Sequence, residues 1–211
     1  MITIIDYGAG NIKSVANMLR AIGVESQISG DPSVISEAQR IILPGVGHFD
    51  YGMSVLAKRG ISDALSGRVI DGGTPFLGIC LGAQLLTRGS EEGELPGLGW
   101  IEADTVSFDR TQLDERLKLP VMGWVDVQVC RNNPLIEYGT DSPRFYHVHK
   151  FHLQCDSADQ VILRSHYGYD YVTGIQSGNI LGVQFHPEKS HRFGMDILKR
   201  FAAWTPGHEA S

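Results

Sequence analysis

Short apolar runs alternate with stretches of helical period along the first 85 or so residues. Ile2, Thr3, Ile4 and Ile5 form an apolar run stopped by Asp6 and predict a buried strand. Ile12, Val15, Leu19 and Ile22 then recur at helical spacing, with Gly23 as the stop. Residues 24–28 predict a second strand, and Asp31-Pro32 reads as an N-cap followed by proline at the first helical position. Residues 40–43 predict a third strand. Met53, Leu56, Ile61 and Leu65 predict the buried face of one helix running through Gly60. A further apolar run ends at Cys80, and residues 83–87 are helix-capable. This alternation predicts an α/β fold with an open, mainly parallel or mixed central sheet flanked by helices on both faces.

The pattern changes between residues 100 and 171, where strands alternate and helical periods are few. It predicts an added, mostly antiparallel β region in the second half. Ser177-Gly178-Asn179 marks a hairpin turn between residues 172–176 and 180–185, and a final amphipathic helix is expected over 193–204. No repeat, low-complexity tract or linker interrupts the chain, so one domain is expected over residues 1–211.

A length of 211 residues allows a sizeable core, and a net charge of −6 offers no basic footprint for nucleic acid. No apolar run approaches a membrane span, and the first residues read as a strand rather than a signal peptide. Cys80, Cys130 and Cys155 have neither zinc spacing nor the even number of a disulfide framework, which suits a reducing cytoplasm. Neither metal nor cofactor is expected.

The candidate chemistry begins at Gly78-Ile79-Cys80-Leu81-Gly82. An apolar run ending in a cysteine with glycine two residues to either side is the pattern of a nucleophile elbow, a sharp strand-to-helix turn that leaves no room for a flanking Cβ. A thiol at a helix start is biased towards the reactive thiolate. The competing reading is a structural cysteine closing a core strand. Near the other end stands Phe185-His186-Pro187-Glu188, with His186 at the edge of a strand over 179–185. Pro187 is expected to keep the segment extended, which would turn His186 and Glu188 the same way. Cys80, His186 and Glu188 thus make a candidate triad of nucleophile, base and orienting acid.

These two segments, with Gln84, resemble the class I, triad-type glutamine amidotransferases. Asp6-Tyr7-Gly8-Ala9-Gly10-Asn11, Leu43-Pro44-Gly45-Val46-Gly47, Met122-Gly123-Trp124 and His186-Pro187-Glu188-Lys189-Ser190 narrow the resemblance to the glutaminase subunits of imidazole glycerol phosphate synthases, in histidine biosynthesis. It covers nearly the whole chain. The implied activity is hydrolysis of L-glutamine to glutamate and ammonia. The implied partner is a (β/α)₈-barrel synthase subunit, in a heterodimer, that receives the ammonia. The resemblance also implies a docking face at Asn11, Met122, Gly123, Trp124 and Lys189, and a hold on the glutamine α-amino-acid group by the backbone of His149, Lys150 and Phe151.

Other groups fit that chemistry from their own placement. Gly45, Val46 and Gly47 follow a strand end, and their N–H groups, with that of Leu81, suit an oxyanion hole, although two glycines after a strand, taken alone, read first as a tight turn or a phosphate loop. A glycine-flanked peptide reorients easily, which makes this loop the expected switch by which a partner turns the site on. Gln84 lies one helical turn past Cys80, on the same side and able to bind the substrate, with a solvent-facing helix residue as the competing reading. His147 and His149 share one strand face, but no acid or cysteine stands beside them and Lys150 opposes a cation, so a metal is not expected. The sequence departs from the family's usual pattern at Val121, Val125, Lys150 and Phe151. This keeps open a paralogous subunit that donates ammonia for amidation of a surface-polysaccharide sugar. An inactive partner-binding relative and a cysteine peptidase of the same superfamily are the remaining alternatives.

Overall fold

The computed structural model describes residues 1–139 and 143–207. The first half is built from β1 (Ile2–Ile5), α1 (Ile12–Ala21), β2 (Ser26–Ser29), α2 (Pro32–Ser36), β3 (Ile41–Gly45), α3 (Phe49–Lys58), α4 (Ile61–Ser66), β4 (Phe76–Cys80) and α5 (Leu81–Gln84). Then follow β5 (Ala103–Ser107), β6 (Val121–Val129), β7 (Arg144–His149), β8 (Phe151–Cys155), β9 (Val161–Tyr167), β10 (Tyr169–Ser177), β11 (Ile180–Val183) and α6 (His191–Ala203).

One mixed sheet runs in the order β2-β1-β3-β4-β11-β10-β9-β6-β7, with β8 pairing β10 and β5. The strands from β2 to β11 are parallel, and every pairing beyond β11 is antiparallel. This is the expected α/β architecture with its added β region. Alternation along the strands builds the two main cores. Ile41, Leu43 and Phe76 pack with residues of α3, α4 and α5 on one face. Ile42, Leu77 and Ile79 pack with residues of α1 and α6 on the other. A third cluster around Phe108 lies under the antiparallel half. Among the described residues no helix is long and apolar enough to cross a membrane.

Three local expectations are corrected. The single helix through Gly60 is two, because Gly60 takes φ 66° and breaks the hydrogen-bond ladder while the apolar period continues across it. The helix after Cys80 closes at Gln84, since the carbonyls of Leu85 and Leu86 turn to Leu98 and Trp100. The segment after His186 is not extended: Pro187–Lys189 forms a 3₁₀ turn, with proline at its first position, where no N–H is needed.

Candidate active site

β4 and β11 lie side by side in parallel register, with Ile79 opposite Val183. Their carboxyl ends therefore deliver Cys80 and the 184–186 segment to one place, where sites of open α/β sheets gather. Cys80 sits at φ 55° and ψ −111°, a conformation that costs a non-glycine residue about 1–3 kcal/mol. The flanking glycines are obligatory for a different reason, namely close approach. A Cβ on Gly78 would lie 2.6 Å from the Gly82 carbonyl oxygen, and one on Gly82 would lie 1.8 Å from that of Leu43. The turn is thus drawn tightly onto β3, as the glycine spacing predicts.

His186 Nδ1 lies 2.8 Å from Glu188 Oε1, and both side chains are 1% exposed. The 3₁₀ turn, rather than an extended chain, brings them together. Burial acts to lower the His186 pKa. The charge of the nearby Cys80 sulfur and its pairing with the ring, and then the Glu188 carboxylate, outweigh burial and push it up to about 10. These neighbours thus favour the charged form of the ring. Its Nε2 is buried and makes no hydrogen bond within normal distance.

The remaining expected residues fall into two groups. Gly45 stands opposite Cys80 across β3 and β4, and Leu81 follows the cysteine directly. Val46 and Gly47 are exposed just beyond, with Gly47 at φ 111°. Gln84 is buried, and its Nε2 donates to Gln184 Oε1 at 3.2 Å and to the Phe151 carbonyl at 3.4 Å. His149 donates from Nδ1 to the same carbonyl at 2.8 Å, and exposed Lys150 lies between the two. Gly45 and Leu81 adjoin Cys80 directly, and Gln84 reaches it through Gln184.

The second group forms a separate surface. Met122 and Trp124 are exposed on β6, and Trp124 stacks flat on His191. Gly123 lies between them, paired with His147. The Lys189 ammonium sits 5.6 Å over the ring of Tyr146, which pairs with Trp124. Asn11 caps α1, and α1 packs against the Pro187–Lys189 turn. His147 and His149 are hydrogen-bonded to each other at 3.0 Å.

Two residues at the site were not expected. Gln184 Nε2 donates to Cys80 Sγ at 3.8 Å. Its parity with His186 on one strand was the available signal. Tyr7 is buried with an unpartnered hydroxyl, against which a Cβ on Gly45 would stand at 2.4 Å. Burial first, and then the Cys80 charge, raise its pKa.

The arrangement can activate a thiol, hold the resulting imidazolium and offer backbone donors to an oxyanion. The glutamine amidotransferase class-I family matches residues 3–204. Among curated proteins, the imidazole glycerol phosphate synthase subunit HisH 2 of Methanococcus maripaludis is 45% identical over 201 residues, spanning 95% of this chain and 98% of that one. A protein of the same name from Pseudomonas aeruginosa is 44% identical, with the same coverage of both chains. Among solved structures, the crystal structure of a glutamine amidotransferase superposes with a TM-score of 0.73 at 19% identity, covering 95% of this chain and 97% of that one.

Proposed function

Since the chain belongs to the class-I glutamine amidotransferases, we propose that it is the glutaminase subunit of an imidazole glycerol phosphate synthase, acting in histidine biosynthesis. It releases ammonia from L-glutamine and passes it to a (β/α)₈-barrel synthase subunit. The observation that carries this reading is the meeting of Cys80 on its strained turn with the buried His186–Glu188 pair. Identity of 44–45% to the two subunits named above supports the pathway.

The Cys80 thiolate attacks the carboxamide carbon, and the carbonyl electrons move to oxygen. The N–H groups of Leu81 and the Gly45–Gly47 loop hold that oxyanion. As the tetrahedral species collapses, His186 gives its proton to the departing nitrogen, ammonia leaves and a γ-glutamyl thioester remains. His186 then takes a proton from water, hydroxide adds to the thioester, and the thiolate departs to yield glutamate. Glu188 fixes the imidazole tautomer and stabilises its charge throughout. Gln84 and the backbone at His149, Lys150 and Phe151 bind the substrate.

Ammonia released into water is protonated and lost, so a glutaminase that feeds a synthase needs its acceptor docked. The exposed Met122 and Trp124, with Lys189, Gly123 and Asn11, form the docking face in this reading. Cys80→Ala should abolish glutamine-dependent product formation by the two-subunit complex while leaving ammonia-dependent synthesis. Native glutamine hydrolysis by that variant would overturn the assignment. Complementation of a histidine auxotroph by the pair tests the acceptor: growth supports the histidine pathway, whereas glutaminase activity without growth supports a paralogous acceptor.

A further inference from the structure

The backbone that the proposed reading assigns to the substrate is braced by a buried imidazole pair that the reaction itself does not use. Alternation along β7 turns Phe145, His147 and His149 inward, and His147 is fully buried. The hydrogen bonds fix where the protons are. The Phe151 carbonyl only accepts, so His149 Nδ1 carries a proton and donates to it at 2.8 Å. A neutral imidazole has one N–H, so His149 Nε2 is an acceptor and His147 Nδ1 donates to it at 3.0 Å. The Tyr171 oxygen, 3.2 Å from the same Nδ1, shares that proton.

Burial keeps both rings neutral, lowering His149 to about 3 and His147 well below its usual value. The path then continues to the nucleophile. Phe151 O accepts from Gln84, Gln84 donates to Gln184, and Gln184 donates to Cys80 Sγ. Tyr171, His147, His149, the Phe151 carbonyl and the two glutamines thus form one unbroken hydrogen-bonded chain ending at the thiol.

We propose that His147 is a positioning residue for glutamine, which fixes the His149 tautomer and through it the direction of the Phe151 carbonyl and the adjoining Lys150 peptide. Without the His147 donor, His149 Nε2 is a buried acceptor with no partner. The ring then gains by moving its proton to Nε2, which turns the bare Nδ1 lone pair onto the Phe151 carbonyl. That carbonyl swings away, and the amino-acid end of the substrate loses its seat.

This inference rests on the glutaminase reading, and the two fail differently. The test is steady-state glutamine hydrolysis by the assembled complex, comparing wild type, His147→Phe and His147→Asn, whose amide N–H stands where Nδ1 stood. His147→Phe should raise KM for glutamine about tenfold, the loss expected from one buried hydrogen bond, with kcat within about threefold. His147→Asn should restore KM. An unchanged KM in an active His147→Phe complex, or a loss in kcat alone, overturns the proposal while leaving the glutaminase intact. Absence of glutamine hydrolysis in the wild-type complex would instead remove the glutaminase reading. Imidazole nitrogen NMR of the wild-type protein decides the point if His147→Phe does not fold. A protonated Nδ1 and bare Nε2 on His149 support the proposal, and the reverse tautomer refutes it.

Discussion

Replacing Glu188 by Gln removes one charge from the site and little else. The pair it breaks is 1% exposed on both sides and 2.8 Å apart, so solvent hardly screens it. Unit charges about 4 Å apart at an effective dielectric near 20 interact by about 4 kcal/mol. A Gln side chain that turns its oxygen to Nδ1 recovers about 1 kcal/mol as a neutral hydrogen bond, leaving a loss of about 3 kcal/mol. If the imidazolium is formed before attack and again during thioester hydrolysis, that loss should lower kcat/KM for glutamine by about a hundredfold. Glu188 is among the groups that raise His186, so the basic limb of the pH–rate profile should also move to lower pH in Glu188→Gln. The assay is glutamate release by the complex over a range of pH, with thermal melting as the control for folding. A folded Glu188→Gln protein with kcat/KM within about threefold of wild type would refute the reasoning.

Two further outcomes concern stability. Gly82→Ala forces a Cβ to 1.8 Å from the Leu43 carbonyl oxygen, so β3 and the elbow must part. A loss of about 3 kcal/mol or more is expected in denaturant unfolding, whereas Gly67→Ala, with nothing within 4 Å, should not destabilise. An equal effect at both glycines would contradict the close approach. Acid should also weaken the fold: His149, held to about 3 in the fold, protonates near its ordinary value when unfolded, so the unfolded chain binds more protons in between. Stability therefore falls as pH drops through that window, by about 1 kcal/mol from pH 6 to pH 5 for this residue, and His147 adds in the same direction. His186 offers little compensation there, being protonated when folded and largely so when unfolded. A urea midpoint that does not change between pH 6 and pH 5 would count against the neutral pair.

The candidate triad is legible because its constraints are local. Gly78 and Gly82 announce the elbow around Cys80, and His186 and Glu188 are separated by a single proline. The geometry joining His186 to Glu188 is not fixed by the sequence, since proline suits the first turn of a 3₁₀ helix as well as an extended chain. The break at Gly60 was hidden because Met53, Leu56, Ile61 and Leu65 keep an apolar rhythm on both sides of it. Tyr7 and Gln184 show the other limit. Tyr7 reaches Gly45 only because β1 and β3 are neighbours in the sheet, and no local pattern carries that fact. The role of His147 needed the Phe151 carbonyl, which depends on how β7 turns into β8.

The side-by-side placement of β4 and β11 also bears on how the protein is made. Cys80 and Gln184 are hydrogen-bonded neighbours 104 positions apart in the chain, and His186 lies further on still. A ribosome adding about 5–20 residues per second needs roughly 5–20 s to travel between them. During that interval the cysteine has emerged without Gln184, His186, Glu188 or the β11 strand that lies beside β4. The newborn chain therefore carries Cys80 on its turn before Gln184 and His186 can pack beside it. Closing so long a loop costs little more than closing a short one, because the entropy grows only with the logarithm of length. On the proposed reading, a chain that stops before residue 180 would carry Cys80 and its elbow without Gln184, His186 or Glu188, and should not consume glutamine.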